Sequence, residues 1–489
     1  MARSFVNLAR WLLMSWLGPG LCFPIVAVGQ SGLSLGPLYD QFPLTLDPGY
    51  RTEAAGPFFY QQKKDTEKSW GLSPLFSRVA DPATETKTCD LLYPLLTCET
   101  YGEEYRWQFC QLLSFSGGQN QMGVPRNRFT LFPLYFQQRS PDTHEKYTAL
   151  VPLYGHLKDR LFRDEIFFVM FPVYSETRKR DVVTDNYFYP FFDLRHGEGL
   201  HGWQFWPVAG GEHKNVTTQT NGFGETEIIG GHDRSFLFWP LYLKQDNGIG
   251  TDNPEKFRAS IPFYAISHSP RRDSTSLLWP FFNWIDDREK QYCEWEGPWP
   301  FVVVARGPGK TTTRVLPLFG RSHNDTHESD FYLWPIYKFN GLHAGTLDQK
   351  RTRILFYLFS DLTEKNTETG KAKRRVDLLP LFTWHRDFDG NRRLQILAPI
   401  EPVLPGNSGV ERNWSPLWSL WRAENNPRMG ATSQSLLWNL YRRDTAPGAK
   451  KYSLLFGLFQ YQSTAEGKKL RLLYVLLVTR HQAAGHPAK

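Results

Sequence analysis

Apolar residues recur along this chain in short clusters, and most clusters contain a proline. Each cluster reads as two apolar residues, usually one of them aromatic, then Pro, then an aliphatic residue or Phe, and often an aromatic. Clear copies are LFPLY at 131–135, LVPLY at 150–154, MFPVY at 170–174, FWPLY at 238–242 and LWPIY at 333–337. Self-similarity of this kind indicates a repeat architecture.

The clusters are evenly spaced. Counting looser copies, 22 positions run from Pro57 to Val475, with a mean spacing of about 20 residues. Proline is replaced in five of them, by Ser114, Tyr357, Asn439, Gly457 and Val475. The long gap between two copies contains a Gly- and Thr-rich stretch at 210–231, which we interpret as an inserted loop. The spacing predicts one continuous β-repeat domain over 51–480.

The clusters predict strands, because a proline within nearly every apolar run would break a helix. Polar turn material separates the runs, for example at 139–142, 340–341 and 387–391. One strand per repeat gives an all-β, antiparallel meander of about 22 strands. Since proline donates no hydrogen bond to a neighbouring strand, we expect every strand to bulge at its proline and the bulges to align as a belt.

A sheet of 22 strands is expected to curl and close, because open sheets rarely exceed about ten strands. The aromatic-rich strands, charged loops and an export signal resemble bacterial outer-membrane β-barrels, and that resemblance implies a closed barrel in lipid. The chain also resembles uncharacterised exported bacterial proteins with repeated Trp-Pro-Leu-Phe phrases, a likeness that implies no activity. The alternative is a soluble β-solenoid, propeller or multi-sheet repeat. It is favoured by the even spacing and by runs such as 149–154, in which both strand faces would be apolar.

The N-terminus predicts export. Arg3 and Arg10 precede an apolar stretch, and Ala27-Val28-Gly29 is a small-x-small cleavage site, so we interpret 1–29 as a signal peptide, 30–50 as a lead-in and 481–489 as a tail. Four further cysteines lie beyond the signal, and in an oxidising compartment one disulfide among the first three is plausible. They are Cys89, Cys98, Cys110 and Cys293.

Composition narrows the class of protein. The chain is 41% hydrophobic and 15% aromatic, with 57 Lys+Arg against 49 Asp+Glu. This content excludes a disordered chain, and the mean hydropathy of −0.45 excludes a polytopic helical membrane protein. Nucleic acid is not an expected partner of an exported chain. Basic clusters at 178–180, 371–375, 442–443 and 450–451 could meet phosphate groups of lipopolysaccharide. We interpret them as solvated loop tips, because acidic residues such as Glu176, Asp181 and Glu364 lie near several of them.

No sequence motif predicts catalysis, a cofactor or a metal. The segment 306–311 resembles the end of a phosphate-binding loop but lacks its first glycine, and 387–391 resembles the start of a calcium loop but lacks its closing glutamate. His323 and His327, with Asp325 and Asp330, have ligand-like spacing within one polar loop. We interpret all three segments as turns.

The sequence therefore predicts a non-enzymatic protein of the cell envelope. The first hypothesis is an outer-membrane barrel in contact with lipid, acting as a passive pore or structural element. The alternative is a periplasmic or surface scaffold that binds a glycan, a lipid, a protein or another small solute through aromatic side chains. Five tryptophans immediately precede the proline, so they would share one height in aligned strands and form the candidate girdle or binding residues. They are Trp206, Trp239, Trp279, Trp299 and Trp334.

Overall fold

The computed structural model describes residues 35–119, 125–142, 145–220, 226–465 and 467–481. More than half of them lie in the strands of one antiparallel sheet of 43 strands, in which each strand pairs with the strands before and after it in the sheet. The predicted all-β meander is therefore confirmed. The predicted signal peptide at 1–29 lies outside the described residues, and so does the predicted tail apart from His481.

The strands of the main sheet are four to eight residues long. Their bounds are β1 Asp40–Pro43, β2 Gly49–Ala54, β3 Phe59–Lys64, β4 Glu67–Leu72, β5 Phe76–Asp81, β6 Thr86–Leu91, β7 Leu96–Tyr101, β8 Glu104–Phe109, β9 Leu113–Gln119, β10 Pro125–Leu131, β11 Tyr135–Arg139, β12 Tyr147–Leu150, β13 Tyr154–Arg160, β14 Arg163–Val169, β15 Tyr174–Lys179, β16 Val182–Tyr187, β17 Phe192–Gly197, β18 Leu200–Phe205, β19 Ala209–Lys214, β22 Gly231–Leu237, β23 Tyr242–Ile249, β24 Glu255–Ser260, β25 Tyr264–His268, β26 Arg272–Leu277, β27 Phe282–Asp287, β28 Tyr292–Glu296, β29 Val302–Arg306, β30 Thr311–Val315, β31 Phe319–His323, β32 His327–Tyr332, β33 Tyr337–Ala344, β34 Leu347–Ile354, β35 Phe359–Asn366, β36 Ala372–Leu378, β37 Phe382–Arg386, β38 Arg392–Ile396, β39 Trp421–Asn426, β40 Ala431–Leu436, β41 Tyr441–Ala446, β42 Ala449–Leu454, β43 Phe459–Thr464, β44 Gly467–Leu472 and β45 Val475–His481.

Among the described residues, five elements lie outside this sheet. Strands β20 (Thr217–Thr220) and β21 (Thr226–Ile229) form a two-stranded sheet between β19 and β22, within the stretch 210–231. Helices α1 (Ser408–Asn413) and α2 (Ser415–Trp418) lie between β38 and β39. The lead-in also has structure, because it contains a 3-10 helix at Gly36–Leu38 and strand β1.

The predicted strand count and the predicted belt of bulges are wrong. Nearly every repeat contains two short strands, and the proline lies in the turn between them: Pro74 connects β4 to β5, Pro152 connects β12 to β13, and Pro335 connects β32 to β33. Pro399 and Pro416 are the exceptions, because both lie between β38 and β39 and Pro416 is part of α2. Proline fits a turn because the turn does not need its missing N–H, whereas a strand interior does. The run 149–154 is consequently a strand end, a turn and a strand start. Its consecutive apolar residues therefore do not require a strand that is buried on both faces.

The strands pair in constant register, so residues at the same distance from the proline face each other across the sheet. One such row carries Ala149, Gly155, Phe168, Ser175 and Asn186 on successive strands, and all five are buried. Register shifts occur in only two pairs of the described strands, β22 with β23 and β44 with β45. Because neighbouring strands pair without an offset, which we call the flush register, the proline turns lie at one edge of the sheet and the polar turns at the other.

We call the face of the sheet that carries this row the inner face. The row itself, whose residues lie three or four positions from the proline, is called the inner row. Small and large residues alternate along parts of the row. A Cβ added at Gly155 would lie 2.4 Å from Ala149 Cβ and 2.6 Å from Phe168 Cζ, and one added at Gly320 would meet the ring of Phe331 at 2.2 Å. Glycine at these positions makes room for the aromatic ring of the neighbouring strand.

The sheet leaves many large apolar side chains accessible. Trp203 and Phe205 on β18 and Trp284 on β27, for example, are 43–52% exposed. Much of the sheet therefore has no second layer packed against it. The main exception is where the two ends of the sheet meet.

At the ends, the inner face of the first strands packs against the inner face of the last strands. The Arg442 guanidinium lies 3.5 Å from the Phe42 ring centroid, and Asn439 Nδ2 donates to Glu53 Oε2 at 2.8 Å. We call this contact between β1–β6 and β38–β42, with α1 and α2, the seam. No described strand pairing joins β1 to β45. Closure into a barrel therefore stays a prediction.

The alternation of small and large residues in the inner row generates a stability prediction. Gly155→Ala would force its methyl group against Ala149 and Phe168, so we expect a loss of about 2 kcal/mol in the free energy of unfolding. Gly211→Ala is the matched control, because the nearest atoms to its added Cβ lie 3.9 Å away. Urea unfolding followed by tryptophan fluorescence measures both, and equal stability of the two variants would contradict the role of the glycines.

Candidate functional site

The edge of the sheet formed by the proline turns is almost wholly apolar. In the turns after β12, β22 and β30 the residue following the proline is Leu153, Leu241 or Leu318, and each of these side chains is more than half exposed. The opposite edge carries polar turns such as Asp389-Gly390. We call the first of these the apolar edge and the second the polar edge.

The backbone donors of the apolar edge are satisfied within the edge itself. In the turn 188–191, Phe188 N donates to Val173 O at 2.7 Å, Tyr189 N donates to Pro172 O at 2.8 Å, and Phe191 N donates to Phe188 O at 2.9 Å. The remaining residue is Pro190, which has no N–H. All the donors of the turn therefore have protein partners and need no water.

The same hydrogen-bond pattern recurs in distant turns. At 238–241 the corresponding N–H groups donate to Val208, Pro207 and Phe238 at 2.6–2.7 Å. At 333–336 they donate to Leu318, Pro317 and Leu333 at 2.6–2.7 Å. Each turn is thus bonded to the turn before it, and the apolar edge continues the hydrogen bonding of the sheet.

We call the face of the sheet opposite the inner face the outer face. Its side chains change from apolar to polar with distance from the apolar edge. The row nearest the turns is nearly all apolar or aromatic, and from β33 onwards it reads Tyr337, Ile354, Phe359, Leu378, Phe382, Ile396, Trp421, Leu436, Tyr441, Leu454, Phe459 and Leu472. The next row mixes aromatic and charged residues, with Trp284 opposite Trp295 but Arg321 opposite Asp330. The third row is polar and includes His196, His201 and His213.

The five predicted tryptophans all lie in proline turns of the apolar edge. Trp239, Trp279, Trp299 and Trp334 are 40–47% exposed, and Trp206 is half-buried. Aromatic residues at this turn position touch from one turn to the next: the ring centroids of Trp206 and Trp239 are 5.9 Å apart, and those of Trp334 and Phe356 are 5.7 Å apart. Their shared height was predicted, whereas their location in turns was not.

A shallow cavity of about 250 Å³ lies beside two of these tryptophans. Trp206 and Trp239 line it together with inner-face polar groups, among them Asp193, Gln204 and Gln245. Aromatic rings beside amide and carboxylate groups are suited to binding a polar ring such as a sugar.

The seam contains a network of buried charged groups that was not predicted from the sequence. Asp90 is 1% exposed and accepts hydrogen bonds from Ser77 Oγ at 3.1 Å, from Asn413 Nδ2 at 3.2 Å and from Arg412. The side chain of Asn407 caps α1 by accepting from Val410 N at 2.9 Å. The available signal was the segment around 397–420, where the strand pattern lapses between two proline positions.

A second buried carboxylate anchors the helices. Glu401 accepts from Gln395 Nε2 at 2.6 Å, from Trp418 Nε1 at 2.9 Å and from Ser415 Oγ. Burial alone would raise the pKa of Glu401, but the hydrogen bonds from Ser415 and Trp418 outweigh it and hold the pKa below its ordinary value of 4.5. The carboxylate is thus held ionised.

The four cysteines of the described residues are free. Cys89 lies directly opposite Cys98 on neighbouring strands, and Cys110 and Cys293 are exposed. The predicted disulfide is not formed in this structure, which nevertheless brings two of the predicted cysteines face to face.

Segments 306–311 and 387–391 form turns between strands, as predicted. The histidine segment is a turn only at 324–326, because His323 ends β31 and His327 and Asp330 lie in β32, and the turn predicted at 340–341 is wrong because both residues lie within β33. Asp387 Oδ1 accepts from the backbone N–H groups of Asp389 and Asn391 at 2.9 Å each, and Asn324 Oδ1 accepts from Thr326 N at 3.0 Å. Among the described residues, no group of three or more His, Cys, Asp or Glu side chains is arranged to hold a metal ion.

Comparisons with known proteins do not assign a family. No protein-family model matches the chain, and no curated protein matches it. Within the part of the chain that the structure describes, no helix is long and apolar enough to cross a membrane.

The lowered pKa of Glu401 generates a pH prediction. A carboxyl group with a depressed folded-state pKa stabilises the fold fully above about pH 4.5, and this contribution is lost as the pH falls through the folded-state value. Glu401→Gln should therefore lower the unfolding temperature at pH 7, and the deficit relative to the parent should shrink towards pH 3. Thermal unfolding of both proteins across this range measures the effect, and a deficit that does not vary with pH would show that the charge is not responsible.

Proposed function

We propose that this protein is a non-enzymatic component of the cell envelope whose apolar edge inserts into a lipid bilayer. The observation that carries the proposal is an exposed apolar edge whose turns satisfy their own backbone donors. Lipid hydrocarbon offers no hydrogen bonds, so a backbone that enters it must be satisfied internally. An exposed turn in contact with water alone could donate its backbone N–H groups to water and would not need protein acceptors.

The energetics favour lipid contact. Moving an exposed Leu or Phe side chain from water into hydrocarbon contributes about 1.5–3 kcal/mol. Leu153, Leu241, Leu318 and Leu381, among many others, are more than half exposed at the same edge. Exposed apolar surface of this extent is typical of a membrane or protein interaction site.

The dimensions support insertion to the depth of one leaflet. The first mixed row of the outer face lies about four residues, or roughly 13 Å, from the turns, close to half of a hydrocarbon core that is about 30 Å thick. Strands of four to eight residues are shorter than the 9–11 residues of a membrane-spanning strand. Strand length therefore favours an edge-inserted structural element over the spanning pore suggested by the resemblance to outer-membrane barrels.

The predicted export signal and the resemblance to outer-membrane proteins support an outer-membrane location. The mixed row would then lie at the lipid headgroups, where tryptophan and tyrosine are commonly enriched. The polar edge would remain in water.

A second candidate function is glycan binding at the Trp206–Trp239 cavity. It is favoured by two neighbouring indoles beside Asp193, Gln204 and Gln245. Titration with soluble oligosaccharides tests it: saturable quenching of tryptophan fluorescence that Trp239→Ala abolishes would support it, and the absence of saturable quenching would exclude it for those sugars.

The lipid proposal predicts the effect of charge at the apolar edge. The double variant Leu241→Asp, Leu318→Asp removes two apolar contacts worth about 1.5–3 kcal/mol each. We therefore expect the protein to bind neutral phosphatidylcholine vesicles at least about 100-fold more weakly. Co-flotation with vesicles measures the change.

The polar edge supplies the matched control. Leu161 and Phe162 lie in the turn between β13 and β14 and are 75% and 95% exposed. Leu161→Asp, Phe162→Asp makes the same kind of change at the opposite edge and should leave vesicle binding intact. Equal loss in both double variants, or in neither, would refute insertion of the apolar edge.

A further inference from the structure

The seam encloses a cavity of about 370 Å³ whose wall is rich in arginine. Strands from both ends of the sheet contribute to it, so it forms only where residues more than 300 positions apart come together. Its volume lies in the range of pockets that hold small organic molecules. The lining cations are Arg51, Lys64, Arg393, Arg412, Arg422 and Arg442.

Five of these six cations have a carboxylate partner. Arg51 pairs with Glu53 at 2.7 Å, Lys64 with Asp47 at 3.0 Å, Arg393 with Glu411 at 2.9 Å and Arg442 with Asp444 at 2.9 Å, and Arg412 pairs with Asp90. Among the described residues, Arg422 is the lining cation for which no ion pair is found.

Arg422 also has buried donors without a partner. Its Nε and Nη2 atoms are buried and donate to no protein acceptor, and the same holds for Nη2 of Arg51. Burial, reinforced by the nearby charge of Arg393, lowers the pKa of Arg422 to about 10. A buried guanidinium without an anion is unfavourable, and a bound oxyanion would supply the missing acceptors.

We propose that the seam cavity is a binding site for a small anion that presents a phosphate or carboxylate group to Arg422 and Arg51. Planar guanidinium groups bind such oxyanions through paired hydrogen bonds. The cavity exceeds the size of inorganic phosphate, so the ligand class is a phosphate monoester or an organic acid with a small organic part. Five carboxylates also line the cavity, so its six cations leave one net positive charge for an anion to neutralise. They are Asp47, Glu53, Glu67, Glu411 and Glu424.

The phosphate group could belong to a free metabolite or to a lipid headgroup, and two arms of one experiment distinguish these sources. In the first arm, calorimetry measures binding of inorganic phosphate and glycerol 3-phosphate to the full chain in neutral detergent. In the second arm, binding to phosphatidylglycerol vesicles is compared with binding to phosphatidylcholine vesicles.

Arg422→Gln should weaken binding about tenfold or more in whichever arm the parent protein binds. Arg443→Gln is the matched control, because Arg443 lies one residue from Arg442 on β41 and faces away from the cavity, over the Tyr452 ring. It removes the same charge from the same region and should bind as the parent does.

Binding in the first arm identifies a free anion, and binding confined to phosphatidylglycerol vesicles identifies a headgroup. No binding by the parent in either arm, or equal affinity of Arg422→Gln and Arg443→Gln, would overturn the proposal. If Arg422→Gln fails to fold by circular dichroism, Ser435→Leu replaces it. That variant fills the cavity beside Arg422 and should also abolish binding, so retained binding would overturn the proposal.

Discussion

The hydrogen bonding between successive proline turns is the constraint on which the rest of this structure depends. Tyr189 N reaches the carbonyl of Pro172, and Trp239 N reaches that of Pro207, so each turn is held at the height of the turn before it. A turn shifted by one residue would lose these bonds and would also move its strand's apolar side chains to the wrong face. The flush register, the apolar edge and the graded outer face all follow from this one contact.

The same register explains how the inner face tolerates its unusual composition. Gly155 lies between Ala149 and Phe168 in the inner row, and its lack of a side chain leaves space for the Phe168 ring. This ring is therefore buried without a second layer packed against the sheet. Where the two ends of the sheet meet, polar groups face polar groups, and Asp90 or Glu401 must find partners in the helices α1 and α2. Burial of charge at the seam is thus compensated by specific hydrogen bonds.

The sequence allowed the all-β meander, the repeat length and the shared height of Trp239 and Trp334 to be predicted, because all three depend on local pattern and even spacing. The strand count was wrong because Pro152 lies within a continuous apolar run, which resembles one buried strand as closely as it resembles two strand ends and a turn. The contact of Asp90 with Arg412 could not be predicted, since it joins residues 322 positions apart and depends on how the whole sheet curves.

Insertion of the apolar edge to the depth of one leaflet is tested most directly by an environment-sensitive fluorophore on a single cysteine at position 241, in a chain whose native cysteines are replaced by serine. Quenchers carried at defined lipid depths locate the fluorophore in the bilayer, and iodide reports access from water. Insertion of the apolar edge predicts strongest quenching near the bilayer centre and protection from iodide on both sides of the membrane. A fluorophore at headgroup depth that iodide inside the vesicle can reach, as in a spanning barrel, or one that no lipid quencher affects, would contradict it.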